Sequence, residues 1–291
     1  MKAVPLPTAL FTLNRERLVK KLPPRSVAVF NANDIMPTNA DGVMGHLQNA
    51  DLFYLTGIHQ EETMLLLAPD AFDPNHREIL FVRQPNEQLI IWEGHKLTKQ
   101  QATKISGIKQ VKWLSEFPGI FRQLAGELQN ICLNTNEHTR AEVAVETRDA
   151  RFLRECRKNF PLHQYQRLAP LMHELRSVKS PYEIDAIRAA CDLTGRGFKR
   201  ALKFVKPGVN ETEVEAVFAH EFIRHKGQFA YPPIIASGAN NNILHYGQND
   251  QVCQKGDLLL LDVAAGLGNY MSDLTRTIPV SGRLTRRQKQ V

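Results

Sequence analysis

No stretch of the 291-residue sequence approaches the roughly 20 consecutive apolar residues that a membrane-spanning helix requires. Cysteine is scarce: Cys132, Cys156, Cys191 and Cys253 lie far apart and form no CxxC. That spacing argues against a disulfide framework or a zinc knuckle and fits a reducing cytoplasm. The short apolar run at the amino terminus is broken by Pro5 and Pro7 and has no convincing small-residue cleavage site. It is expected to be part of the folded protein. No phosphate-cradling loop occurs, and Gly266-x-Gly268 lacks the third glycine and the following helix of a dinucleotide fingerprint. The net charge of +7 is not gathered into a long basic block, nor interleaved with aromatics. It reads as solvated surface, with neither nucleic acid nor membrane as a partner.

What remains is an ordinary globular balance, 43% apolar and 23% charged, in a chain long enough for two domains. The pattern FTLNRERLVKK predicts an amphipathic helix over Phe11–Lys21, stopped by Pro23-Pro24. Short buried strands are predicted at Ser26–Phe30, Phe53–Thr56, Thr63–Ala68, Glu78–Val82, Val111–Leu114 and Ile131–Leu133. Helices are predicted at Leu97–Ile105, Phe121–Gln129 and Ala141–Arg157, and the alternation points to an α/β layer domain over residues 1–170.

From residue 171 onward the pattern changes to two capped helices and a group of strands, a second domain over 171–291. Ser180, Pro181 and Glu183 form a capping box ahead of a helical stripe that Lys206-Pro207-Gly208 ends, and Asn210 with Glu213 opens the next helix. His220-Glu221 with His225 suggests a zinc-protease motif, but that motif needs histidines four apart on one helix face. Here they are five apart, about 140° round the helix. The reading is refused. A strand follows at Pro233–Ala236, and then the hairpin Asp257–Pro279.

That hairpin carries the candidate chemistry. Leu258–Leu261 run into Asp262, and Asp273 follows beyond the turn residues Gly266-Leu267-Gly268-Asn269. Pairing about that turn predicts Asp262 and Asp273 opposite each other, with Cβ atoms about 5 Å apart. Two carboxylates so close repel unless one takes a proton or a cation sits between them. A strand-end aspartate is, taken singly, more often a cap or turn residue. Thr275 and Thr277 continue the face of Asp273, and Thr275 is placed to hydrogen-bond and steady the neighbouring carboxylate.

With these come the segments QNADLFYLTGIHQEETMLLLAPD, IIWEGHKL, YPPIIASGANNNILHYGQND and DVAAGLGNYMSDLTRT. Together they resemble the Xaa-Pro aminopeptidase (aminopeptidase P) branch of the pita-bread metallopeptidases, close to prolidase and more distantly to creatinase. The resemblance implies an α/β N-terminal domain followed by an α+β pita-bread domain, of which only the first half is present. It implies that Asp262 binds one metal and Asp273 bridges two, commonly manganese and sometimes cobalt or zinc. It implies that His245, in ILHY, contacts the substrate carbonyl and steadies the tetrahedral intermediate. The implied substrate is a peptide with proline second, and the implied assembly a cytoplasmic homo-oligomer, dimer or tetramer.

The family uses five metal ligands, two Asp, one His and two Glu, yet no His or Glu follows Asp273 here. Three of the five are therefore expected to be missing and the chain to be inactive alone. Thr285 caps a helix start, RRQKQV, that ends too soon to be stable by itself, so a cut in the catalytic half is expected. Two alternatives stay open, a prolidase acting on Xaa-Pro dipeptides and a non-catalytic pita-bread binding module. Trp92 is read either as a partly buried aromatic at a strand-to-loop transition or as part of a loop overhanging a peptide cleft.

Overall fold

The computed structural model describes residues 6–135, 137–138 and 144–290. The chain divides into two compact units, Leu6–Lys179 and the residues from Ser180 onward.

The first unit contains α1 (Thr8–Val19), β1 (Ser26–Asn31), α2 (Ala50–Thr56), β2 (Met64–Leu67), β3 (Glu78–Val82), α3 (Glu87–Glu93), α4 (Lys99–Ser106), β4 (Gln110–Trp113), α5 (Phe117–Glu127), β5 (Asn130–Leu133), α6 (Arg148–Asn159), β6 (Gln164–Arg167) and α7 (Ala169–Ser177). Six strands form one sheet in the order β4-β3-β2-β1-β5-β6. Only β2 runs against the others, since β1–β5, β5–β6 and β3–β4 pair parallel and both contacts of β2 are antiparallel. β1 is buried along its whole length, as a strand covered on both faces must be. Leu18, Leu52, Leu55, Ile108 and Met172 pack on one face, and Phe117, Phe121, Leu124, Ile131 and Cys156 on the other. Each such side chain contributes about 1.5–3 kcal/mol on leaving water.

Two departures from the sequence-based expectations have local causes. Phe53–Thr56 is not a strand but the end of α2. Asn49 accepts hydrogen bonds from the N–H groups of Asp51 and Leu52, and Gly57 closes the helix in the left-handed region at φ 69°. A cap at each end of a seven-residue segment outweighs the strand preference of its aromatics. α6 starts at Arg148 because Thr147 caps it through the N–H of Ala150, at 3.2 Å. The earlier part of the expected 141–157 helix falls partly on residues outside the described ones. Trp92 lies in the last turn of α3 and is 74% exposed, not partly buried at a strand end.

The second unit opens with α8 (Pro181–Phe204) and α9 (Glu211–Arg224), followed by β7 (Gln228–Phe229), β8 (Ile234–Ser237), β9 (Leu258–Asp262), β10 (Ala265–Leu267), β11 (Tyr270–Met271) and β12 (Thr275–Pro279). Both capping boxes form, with Glu183 accepting from the Ser180 N–H at 2.8 Å and Glu213 from the Asn210 N–H at 2.9 Å. His220 lies in α9 and His225 only at its C-terminal cap, where the ring Nδ1 lies 2.9 Å from the Glu221 carbonyl oxygen. The strands form two three-stranded antiparallel sheets, β11-β10-β7 and β12-β9-β8, so helices and antiparallel strands are segregated as in an α+β unit.

α8 approaches α9 closely at Gly197, where a Cβ would lie 2.8 Å from Phe218 Cδ1 and 2.9 Å from Phe222 Cε1. Gly197→Val is therefore expected to lower the free energy of unfolding by about 2 kcal/mol, read by urea denaturation.

Candidate metal centre

The two aspartates are positioned by one turn. Leu267 pairs with Tyr270 and Gly266 with Met271. The reversal is therefore the two-residue Gly268-Asn269, whose φ angles of 56° and 65° are those of a type I′ turn. Its centre lies one residue beyond the midpoint of Asp262 and Asp273. The register carries on into β9 and β12, where Thr275, not Asp273, faces Asp262. The aspartates are thus diagonal neighbours, which corrects the directly opposed arrangement. A shift of two residues in register leaves a side chain on the same face, whereas a shift of one would have sent it to the other.

Tyr231 shows that the two carboxylates converge. Its hydroxyl donates to Asp262 Oδ1 at 2.6 Å and lies 3.1 Å from Asp273 Oδ1. The strand before Tyr231 pairs Phe229 with Ala265, and the strand after it pairs Ile234 with Asp262. Five steps on one chain therefore match three on the other, and the surplus bulges out around Tyr231-Pro232-Pro233. Prolines cannot donate to a ladder, so this is where the sheet gives way and turns the phenol toward the acids. Burial first, then the two carboxylates, push the Tyr231 phenol well above its ordinary value. It stays a donor.

Thr275 shares the face of Asp262, but its hydroxyl makes no hydrogen bond to either carboxylate among the described residues. Tyr231 supplies the bond expected of it. Behind the sheet, Thr194 of α8 accepts from the Ala265 N–H at 2.8 Å and lies 2.7 Å from the Ser272 hydroxyl. Ser272 in turn donates to the Ala265 carbonyl at 2.9 Å, so the hairpin is fixed one residue away from Asp273.

His245 is exposed and lies in the segment between β8 and β9, with no hydrogen bond to either aspartate among the described residues. That segment is tied down at three points. Asn241 donates to the Leu258 carbonyl at 3.0 Å and accepts from the Leu260 N–H at 3.1 Å, which joins it to the strand ending in Asp262. Asn249 accepts from the Ile235 N–H and donates to the Pro233 carbonyl, both at 3.0 Å. The third tie is Glu211, fully buried at the first position of α9. Its carboxylate accepts from the Ser237 N–H (2.6 Å), the Ser237 hydroxyl (2.7 Å), the Tyr246 hydroxyl (2.8 Å) and the Gln251 N–H (3.1 Å). Tyr246 is the neighbour of His245. Burial, then Glu211, push its phenol up to about 12.

Tyr231, Glu211 and Asn241 were not singled out from the sequence. The Pro232-Pro233 pair was the signal for Tyr231, because it interrupts a strand just where a side chain can be re-aimed. Glu211 looked like an ordinary acidic residue in a first helical turn. Nothing local to its own segment points to its four partners.

The donor chemistry fits a hard divalent cation, which prefers carboxylate oxygens. No group of three or more His, Cys, Asp or Glu that could hold a metal ion occurs among the described residues. Replacing the phenol hydroxyl in Tyr231→Phe is expected to weaken Mn²⁺ binding about ten-fold without unfolding the protein, measured by calorimetric titration beside a circular dichroism melt.

Comparison with known proteins gives a consistent result. The family described as "Aminopeptidase P, N-terminal domain" matches residues 11–132, and "Metallopeptidase family M24" matches residues 185–291. The Xaa-Pro aminopeptidase of Escherichia coli strain K12 is 32% identical over 97% of this chain and 64% of its own length. Human Xaa-Pro aminopeptidase 3 is 29% identical over 84% of this chain and 48% of its own. Among solved structures, one from Bacillus anthracis assigned to aminopeptidase P superposes with a TM-score of 0.90, at 31% identity over 98% of this chain and 68% of that one. Zinc-substituted E. coli aminopeptidase P in complex with product superposes with a TM-score of 0.85, at 29% identity over 99% of this chain and 66% of that one. The chain thus spans less than two thirds of the length of its E. coli and human relatives. On its sequence and on its fold, the chain belongs to the aminopeptidase P family of M24 metallopeptidases.

Proposed function

We propose that this chain carries part of the site of a dinuclear-metal aminopeptidase that releases the N-terminal residue from peptides with proline second. The observation that carries the proposal is the Tyr231 hydroxyl held between Asp262 and Asp273 on one sheet face. In this reading Asp262 and Asp273 would hold the metal ions, with Mn²⁺ favoured by oxygen ligation and Co²⁺ or Zn²⁺ as substitutes. When bound, such ions supply the Lewis acidity for attack of water on the scissile carbonyl.

The protein's own groups do the rest. Tyr231 keeps the two carboxylates oriented. His245 meets the substrate carbonyl oxygen and donates to it as negative charge develops, from a segment that Glu211, Asn241 and Asn249 hold to the sheet. Thr275 lines the same face beside Asp262. A peptide bond to proline has no N–H to donate, so recognition falls on carbonyl oxygens and on the ring. The relatives named Xaa-Pro aminopeptidases favour this activity over dipeptide cleavage.

The described residues offer the ion two acidic ligands and no third. By itself the 291-residue chain is therefore proposed to bind Mn²⁺ weakly and not to turn over substrate. We assign it to the cytoplasm, a reading supported by four free cysteines, and no helix among the described residues is long and apolar enough to cross a membrane. A homo-oligomer, dimer or tetramer, is supported by the exposed Ile91 and Trp92 of α3.

The test is to supply Mn²⁺ with a Xaa-Pro tripeptide and, separately, a Xaa-Pro dipeptide. No cleavage is expected from this chain. Turnover of the tripeptide would refute its proposed incompetence, and turnover of the dipeptide alone would favour a prolidase.

A further inference from the structure

A second site lies in the first unit, well removed in sequence from the aspartate hairpin. A cleft of about 600 Å³ opens between α5 and α6, within the size range of small-molecule pockets. Its apolar part is built from Phe117, Phe121, Phe152 and Phe160. Phe121 stacks on Phe117 at 5.3 Å between centroids and meets Phe152 at 5.4 Å and Phe160 edge-on at 5.6 Å. The cleft reaches Asn31, the last residue of β1, at the carboxyl edge of the parallel strands where ligands of open α/β sheets bind.

Two polar groups there lack protein partners. Asn31 is 3% exposed and gives its amide N–H to Asp149 Oδ1 at 2.8 Å, but its side-chain oxygen has no donor. Arg148 makes no hydrogen bond or ion pair to any described residue, although Glu62, Asp34 and Asp149 lie near enough to act on it electrostatically. It also occupies the first position of α6, where the helix dipole disfavours a cation. Its guanidinium therefore has donors free for a direct partner, which the neighbouring carboxylates do not supply.

The rim is mixed in charge. Arg122 and Glu155 line it without an ion pair, and Arg151 is paired with Asp34. A rim offering both signs, one free guanidinium and one free amide oxygen matches a zwitterion better than a simple anion. The aromatic floor calls for a bulky apolar body.

We propose that this cleft binds a free α-amino acid with a large apolar side chain. Its carboxylate is taken by Arg148, its ammonium by Asn31 Oδ1 and the acidic rim, and its side chain by the phenylalanine cluster. The thiol of Cys156, which also lines the cleft, is pushed up to about 12 by burial and takes no part as a nucleophile. The inference stands apart from the proposed peptidase activity.

Calorimetric titration of the full chain with L-phenylalanine tests it, with ring NMR signals of the cluster as a locator. The expected result is saturable one-to-one binding that perturbs the Phe152 ring. Binding should weaken about ten-fold or more for 2-phenylethylamine, which lacks the carboxylate, and similarly in Arg148→Met. It should persist in Asp262→Asn/Asp273→Asn. The ligand series on the unaltered chain keeps the test valid should Arg148→Met misfold. No saturation by about 10 mM would overturn the proposal. Equal binding of 2-phenylethylamine, binding unchanged by Arg148→Met, or loss in the double aspartate variant would each overturn it as well.

Discussion

Asp262→Asn combined with Asp273→Asn is expected to abolish saturable Mn²⁺ binding while raising the melting temperature of the metal-free protein. Both effects follow from one arrangement. The two carboxylates point at a single phenol from the same sheet face, Tyr231 lying 2.6 Å from one and 3.1 Å from the other. One hydroxyl proton serves one acceptor well at a time, so without a cation the second carboxylate faces the first largely uncompensated. Asparagine removes that repulsion and keeps the shape. It also removes the charge a divalent ion needs. Because changing a group that merely orients a ligand typically costs 10–100-fold in metal affinity, losing both ligands should cost at least about 100-fold. Calorimetric titration with Mn²⁺ and a thermal melt in chelator read the two effects separately. A gain in stability with a loss of binding marks a functional site carrying stored strain.

Glu211→Ala is the second large expected effect, a loss of about 3–5 kcal/mol in unfolding free energy. The carboxylate is fully buried, and its removal strands the Ser237 N–H and hydroxyl and the Gln251 N–H, while the Tyr246 hydroxyl keeps Asp250 Oδ1 at 3.2 Å. Each buried donor left without an acceptor costs about 1–3 kcal/mol, partly recovered by relaxation. Glu211→Gln keeps an acceptor oxygen and should lose less than half as much. The pair of variants separates a structural buried acid from an inert one in urea denaturation. The segment carrying His245 should loosen in the alanine variant, visible as faster amide exchange over residues 239–250 with α8 unaffected.

The sequence already held the parity of the hairpin but not its register. The odd separation of Asp262 from Asp273 across a turn of even length suffices to put both acids on one face. The choice between a four-residue and a two-residue reversal was decided by the left-handed geometry of Gly268 and Asn269, and that moved Asp273 from opposite Asp262 to diagonal. The helices of the second unit were legible because their caps are local, Ser180 with Glu183 and Asn210 with Glu213. Caps also explain the failure at Phe53–Thr56, where Asn49 and Gly57 frame a helix that its aromatic residues would not suggest. What stayed hidden depends on partners distant in sequence. Tyr231 is 31 residues from Asp262, and Glu211 is 26 from Ser237 and 35 from Tyr246.

If Asp262 and Asp273 hold a metal ion, the arrangement would hold it loosely. Two acids from one hairpin offer directed oxygen ligands, but the surrounding described residues add no third acidic, thiol or imidazole ligand. Water must fill the remaining positions of a cation that takes six or more oxygens. Affinity then rests on two charges at a partly solvated sheet face, so it should fall as ionic strength rises.

Paramagnetic broadening by Mn²⁺ places the ion without relying on any substitution. In an amide spectrum titrated with sub-stoichiometric Mn²⁺, the signals of Tyr231, Asp262, Asp273 and Thr275 should vanish first. Broadening centred on any other group of residues, or none at these four, would contradict a cation site at this hairpin.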